Sequence, residues 1–357
     1  MQLYPFNKDE NGGRSMKAAV WTEPNKMEMR EMPVPEPQAQ EALVKVLGCG
    51  ICGTDCHIFA GEVPLAKPPQ VLGHEIFGEV VELGAGVKSV KKGLKVSVDP
   101  VIGCGVCQYC KSGKTNLCDR PTIIGYARTG GFAQYTTVPE SHLYPMSEKM
   151  GPKDGILVET LACVINGYDR LGLKAGHTVL ILGAGCVGLL WTGLIKHSVS
   201  TRIIQTDVVP ERLLVARKLG ADSIIDAGKA KWPEEVLKSE PEGVDYIIDA
   251  TGSSKAIKES LALLKKGGTF MVFGVTPEKE RVEISPYQMF AREITILGAK
   301  MPPGKLGRAA KIMEAGLIDS NALVTTTLPL SQLAHGIHLF HEEKHKHLKI
   351  MIDPWIA

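Results

Sequence analysis

The chain has 357 residues, 44% of them hydrophobic and 22% charged, with a formal net charge of +2. That length implies about two domains and a core large enough to stand without disulfide staples, and so small a charge gives no electrostatic ground for binding nucleic acid or an anionic membrane. Nine cysteines with no secretory signal ahead of them point to a reducing, cytoplasmic setting in which thiolates hold metal.

The opening residues, MQLYPFNKDENGGRS, are polar and lack the apolar stretch of a signal peptide; they read as a short flexible extension before a first strand, MKAAVWT. Up to about Tyr144, short alternating runs (ALVKVLG, EIFGEVVELG, KVSVDP, FAQYTTV) broken by Gly and Pro predict a β-rich region. From Thr178 the rhythm changes to apolar strands alternating with helices: VLIL, GLLWTGLIKH, RIIQTD, PERLLVARKLG, SIID, VDYIIDA, SKAIKESLALLKK and TFMVFGV. Such alternation predicts an α/β domain with a doubly wound parallel sheet, covered on both faces. Residues Thr178 to Ile195 carry no charge over about the length of a membrane span, but Gly183, Gly185, Gly188 and Gly193 interrupt them and fit a strand, turn and helix instead. After Gly298 mixed structure returns, with a helix expected around Lys305 to Ala315, so the α/β domain is inserted between two pieces of the other.

Within the β-rich region, CGICGTDCHIFAGE and VLGHEIFGEV supply Cys52, His74 and Glu75. A thiolate, an imidazole and a carboxylate with a water make a zinc site with one exchangeable position, as a catalytic zinc requires. A single His beside a Glu is more often an ordinary core or surface pair; the motifs further along favour a metal here. Cys49 and Cys56 read as small buried thiols around one ligand rather than a second cluster.

Cys104, Cys107, Cys110 and Cys118 follow with spacing C-x2-C-x2-C-x7-C in a Gly-rich stretch. Four thiolates so close can surround one tetrahedral ion, usually zinc, and a site that uses all four positions is structural and closed to substrate. Disulfides are the rival reading, but adjacent C-x2-C pairs do not bridge comfortably.

Gly183-Ala184-Gly185-Cys186-Val187-Gly188 is G-x-G-x-x-G, directly after a strand and opening a helix. The first Gly makes the tight turn, the second admits a pyrophosphate, and the third lets helix and strand pack closely; Cys186 and Val187 fill the turn. Asp207 ends the next strand about 20 residues on, placed for ribose hydroxyls. A carboxylate there repels a 2′-phosphate and favours NAD over NADP, although Arg212 can accommodate one. Thr251, in Asp249-Ala250-Thr251-Gly252, and Gly274, in Val272-Phe273-Gly274-Val275, stand at the carboxyl ends of strands and are expected to line the nicotinamide end.

With these motifs in this order the chain resembles the zinc-dependent medium-chain dehydrogenases, the superfamily of zinc alcohol dehydrogenases, sorbitol and other polyol dehydrogenases, and threonine dehydrogenase. The similarity runs from about Met16 to the C-terminus and covers C-G-x-C-G-T-D-x-H, G-H-E-x-x-G-x-V, the cysteine lobe, the glycine fingerprint and the Asp after it. It implies a GroES-like, zinc-binding catalytic domain of residues 1–163 and 300–357, and a Rossmann NAD-binding domain of residues 164–299. It also implies two zinc ions per subunit, one catalytic and one structural. Cys52 and His74 match the first two catalytic zinc ligands, and Glu75 the adjacent carboxylate, a direct ligand in some members. Thr54 matches the hydroxyl that bonds the substrate oxygen, and His57 the outer end of the proton relay. The segment Leu157-Val158-Glu159-Thr160-Leu161-Ala162-Cys163 is similar to the E-P-L of polyol dehydrogenases, with Thr160 where Pro is usual. Glu159 is therefore the expected fourth residue of the metal site, as ligand or beside it, and Cys163 the alternative if the register shifts.

The implied activity is reversible oxidation of a secondary alcohol to its ketone. Zinc acts as Lewis acid and hydride passes to the nicotinamide, while the proton leaves through Thr54 and the ribose toward His57, or through water near Glu159. A polyol substrate suits a Glu-bearing site because extra hydroxyls need polar partners. Lys300-Met301-Pro302-Pro303-Gly304 matches no particular polyol enzyme, which leaves threonine and simple alcohols as alternatives. A protein without catalysis would have lost some of Cys52, Thr54, His57 or His74. His335, His338, His341, His345 and His347 read as a solvated helix face and loop. The expected partners are a small-molecule alcohol and further copies of the chain, since family members are dimers or tetramers; no nucleic acid and no membrane is expected.

Overall fold

The computed structural model describes residues 7–8, 12–229, 231–301, 304–343 and 345–356. It forms two compact units, Met1–Thr160 with Pro303–Ala315 and Val324–Ala357, and Leu161–Pro302 with Gly316–Leu323. Against limits drawn at 163/164 and 299/300 from sequence, the units part at Thr160 and Leu161, and Gly316–Leu323 goes with the second.

The first unit is built on antiparallel pairing. A seven-stranded sheet runs in the order Leu143–Pro145, Lys95–Val98, Glu75–Leu83, Glu41–Gly50, Lys349–Asp353, Val324–Pro329, and Tyr135–Pro139 also pairs with Glu41–Gly50. The Glu41–Gly50 strand is central because its apolar residues Ala42, Leu43, Val44 and Val46 are buried, and β-branched side chains suit a pleated interior. At its end Gly50 pairs with Glu75 on one side and Met351 on the other, so three distant segments converge at one point. A second sheet holds Arg14–Glu23 and Lys26–Pro33. Asn7–Lys8 pairs antiparallel with Arg14–Ser15, so this part of the N-terminal extension is a strand rather than a loose end. Residues 1–6 and 9–11 of that extension lie outside the described residues, as do Pro302 and Pro303 of the 300–304 segment.

The second unit carries a six-stranded parallel sheet, ordered Ser223–Asp226, Arg202–Asp207, Thr178–Leu182, Val244–Asp249, Leu264–Val272, Thr295–Gly298. Its central strand, TVLIL, is buried throughout, which is why it reads as a continuous apolar run. The strand order reverses between Thr178–Leu182 and Val244–Asp249, the point where open α/β sheets bind ligands at their carboxyl ends. The uncharged stretch after Thr178 is that strand followed by a helix over Cys186–Ser198. No helix among the described residues is long and apolar enough to cross a membrane. The helix expected over SKAIKESLALLKK stops at Ser260, and the last strand-forming run starts already at Leu264. Lys265–Gly268 then loops out between the paired residues Leu264 and Thr269, because the sheet claims both flanks and two glycines give the chain room to bulge.

Candidate active site and metal centres

The cysteine lobe is the more completely built of two clusters. The sulfurs of Cys104, Cys107, Cys110 and Cys118 all lie within 4.8 Å of one another. They are unbridged: Cys107 and Cys118 sulfurs are 3.9 Å apart, far from a disulfide length. Backbone amides point at them, with Cys104 N–H donating to Cys118 Sγ (3.3 Å), Cys107 N–H to Cys104 Sγ (3.4 Å) and Cys110 N–H to Cys107 Sγ (3.4 Å). Donors of this kind favour the thiolate, and those from Cys110 and Asp119 bring the Cys107 thiol down to about 6. Burial and the neighbouring sulfurs push Cys110 up to about 12, so further ionisation within the cluster is resisted unless a cation shares it. The donor set fits a structural zinc.

The second cluster brings Cys52, His74 and Glu75 within 4.8 Å of one another. Cys52 is the residue before the Gly53–Phe59 helix, and its N–H is held by Asp55 Oδ2 at 3.0 Å. His74 arrives from the loop just ahead of the Glu75–Leu83 strand. Its Nδ1 faces the buried Asp55 Oδ1 at 3.3 Å and the Tyr126 hydroxyl at 3.4 Å. Asp55 acts on the ring both through its charge and through this contact with Nδ1. Burial pulls the His74 imidazole down, but Tyr126, Asp55 and the Cys52 sulfur together outweigh it and hold the group well above the usual range. An imidazole with a carboxylate behind one nitrogen is how metal-binding histidines are ordinarily oriented. These donors fit a zinc with an exchangeable position.

Glu75 is nearly inaccessible, and its carboxylate is already engaged. Lys349 Nζ donates to both oxygens at 2.7 Å, and Thr160 Oγ1 donates to Oε1 at 2.8 Å. A Cβ on Gly50 would stand 2.0 Å from Glu75 Oε2, so only glycine lets the carboxylate cross that strand.

Thr54 places its hydroxyl 3.7 Å from Cys52 Sγ. His57, on the last turn of the same helix, is partly exposed and has Nδ1 2.5 Å from Glu62 Oε2. Glu159 is buried, and its charge is felt at Tyr126, whose phenol burial pushes far up. Glu159 and Cys163 stand one turn apart on the Leu157–Leu171 helix, and neither belongs to the three-residue cluster. Cys49 and Cys56 are buried thiols, both driven up chiefly by desolvation. His335, His338, His341 and His345 are exposed, and His347 meets Thr326 Oγ1 at 2.6 Å.

In the second unit, Gly183 turns the chain at φ +94°, out of reach of most side chains. A Cβ on Gly188 would sit 2.0 Å from Gly183 O, whereas one on Gly185 meets only Arg212 at 3.5 Å. The middle glycine therefore borders open space with a guanidinium nearby, a cradle for a pyrophosphate. Asp207 accepts from Ala184 N–H (2.6 Å) and Val209 N–H (2.8 Å), which fixes its carboxylate at the strand end. Thr251 and Gly252 are held on the buried Asp249 carboxylate, and a Cβ on Gly274 would strike Gly252 N at 2.1 Å, so these two strand ends are tightly nested. The loop and Asp207 fit a dinucleotide.

No sequence motif assigns a role to Lys349, Tyr126 or Asp55. Asp55 lies inside the quoted C-G-T-D-x-H segment, and Lys349 is the one charge heading the apolar run KIMI. Tyr126 carries no sequence signal that separates it from other aromatics.

Residues 38–148 match the family described as "Alcohol dehydrogenase GroES-like domain", and residues 186–314 match "Zinc-binding dehydrogenase". The chain is 31% identical to the starvation-sensing protein RspB of Escherichia coli, over 94% of this chain and 99% of that one. It is 30% identical to the sorbitol dehydrogenase of Bacillus subtilis, over 96% and 98% of the two chains. A solved zinc-binding dehydrogenase from Sinorhizobium meliloti, bound to NADP, superposes with a TM-score of 0.90 at 34% identity, covering 95% of this chain and 99% of that one.

Proposed function

The chain belongs to the zinc-binding dehydrogenases, enzymes that act on CH–OH groups, and on that premise we propose that it interconverts a polyol or sugar alcohol with its ketone, using NAD and two zinc ions. The observation that carries this reading is the convergence of Cys52, His74 and Glu75 beside the Thr54 hydroxyl, apart from the four-cysteine lobe.

Bound at that cluster, zinc supplies a Lewis acid that lowers the pKa of an alcohol, and NAD supplies the hydride acceptor. Cys52 and His74 would hold the ion, with Asp55 and Tyr126 fixing the imidazole. Thr54 takes the proton from the substrate oxygen and passes it toward His57. The pairing of Glu75 with Lys349 keeps that carboxylate back, so we assign Glu159 to a water or a second substrate hydroxyl near the metal. Asp207 accepts from the ribose hydroxyls and disfavours a 2′-phosphate, Arg212 meets the phosphate side, and Thr251 and Gly274 flank the nicotinamide. The polyol class rests on similarity to sorbitol dehydrogenase and on Glu159, which gives extra hydroxyls a polar partner. We further infer a homo-oligomer and, from nine free cysteines, a reducing compartment.

NAD reduction measured against polyols, simple alcohols and threonine tests this. Turnover is expected on polyols. Turnover confined to threonine or to simple alcohols would move the substrate class, and none at all with both zinc ions bound would favour a protein that does not catalyse.

A further inference from the structure

Glu62 has no part in the chemistry described above, yet the backbone is built to deliver it to His57. Where the Gly53–Phe59 helix ends, Ala60 N–H donates to Cys56 O (3.0 Å), Gly61 N–H to Ile58 O (2.9 Å) and Glu62 N–H to His57 O (2.9 Å). The turn depends on Gly61 at φ +74°, where a Cβ would also lie 2.9 Å from Pro24 Cγ. Asn25 secures it from outside, its N–H donating to Phe59 O at 2.8 Å. The chain thus folds back over its own last turn and sets Glu62 Oε2 2.5 Å from His57 Nδ1. Among the described residues, His341 is the other titratable ring beside His57, edge-on with centroids 6.3 Å apart.

A neutral imidazole carries one proton, and a relay histidine needs to know which nitrogen holds it. We propose that Glu62 is a positioning residue for His57: its carboxylate accepts the Nδ1–H, fixes that tautomer and ring orientation, and leaves Nε2 as the basic nitrogen. The inference rests on His57 being the outer end of the relay. The proton released by the substrate hydroxyl binds Nε2 and departs from it to bulk water, while Nδ1 keeps its own proton. With His57 and Glu62 side chains 35% and 60% exposed, the pair contributes little to folding, so its removal reads out on chemistry.

The test compares Glu62→Ala, Glu62→Gln, His57→Gln and the double variant His57→Gln/Glu62→Ala, assayed by NAD reduction with whichever polyol turns over fastest. Glu62→Ala is expected to lower kcat roughly 3- to 10-fold with KM and zinc content unchanged. Glu62→Gln keeps an amide oxygen as acceptor and recovers most of the rate. In the His57→Gln background, Glu62→Ala costs nothing further. The proposal is overturned if His57→Gln is slow while Glu62→Ala turns over at the parent rate, or if Glu62→Ala is equally harmful in both backgrounds. A fast His57→Gln enzyme would remove the relay itself, and the role of Glu62 with it.

Discussion

Lys349 Nζ stands 2.7 Å from each carboxylate oxygen of Glu75, joining residues 274 positions apart. Both are almost fully buried, and Lys349 also donates to Ile51 O at 3.3 Å. Removing one partner of such a pair leaves a charge in a low-dielectric interior. Lys349→Met is therefore expected to destabilise the first unit by about 3–5 kcal/mol, whereas Lys349→Met/Glu75→Gln recovers most of the loss. Chemical denaturation of the parent, single and double variants measures this.

Gly50 faces the same carboxylate. In Gly50→Ala the new Cβ claims the space of Glu75 Oε2, 2.0 Å away, so Glu75 is forced out of its place in the cluster with Cys52 and His74 or the strand pairing opens. Zinc counted per subunit should fall by one ion, with the cysteine lobe keeping its own. A full complement of two ions would show that the carboxylate moves without consequence for the metal.

The proposed preference for NAD is assigned to Asp207. Asp207→Asn keeps an oxygen for the Ala184 amide but removes the charge that repels a 2′-phosphate. With one charge-assisted contact worth roughly 1.5–3 kcal/mol, the ratio of kcat/KM for NAD over NADP should drop on the order of tenfold or more. Steady-state kinetics with each cofactor checks it, and an unchanged ratio would assign discrimination elsewhere.

Asp99 gives a pH dependence. Burial raises its carboxyl from 3.8 to about 6, against one backbone hydrogen bond from Val101 N–H. The folded state therefore holds a proton that the unfolded state has lost between those pH values, and stability from this group is present below about pH 4 and lost as pH rises through about 6. Asp99→Asn should raise stability at pH 7 to 8 by on the order of 2 kcal/mol, and the gain should vanish by about pH 4. Urea midpoints across that range measure the effect.

What the sequence disclosed, and what it withheld, follows from where contacts come from. The cysteine lobe and the glycine fingerprint are local, since ligand spacing or backbone approach is written within a few residues. Cys52 and His74 needed only two short segments. Lys349 was invisible because its contact depends on sheet register, with Gly50 flanked by both Glu75 and Met351. Thr160 looked like a departure from a motif, and the fold gives its hydroxyl a partner in Glu75. Over Leu261–Lys266 the helical pattern runs on past the helix end at Ser260, because the parallel sheet decides where Leu264 must pair.

Zinc per subunit, measured alongside NAD reduction in His74→Ala, decides whether Cys52 and His74 share a catalytic ion. Two ions are expected in the parent and one in the variant, held by Cys104, Cys107, Cys110 and Cys118, with turnover reduced to background. A variant that still oxidises its alcohol at the parent rate would contradict it.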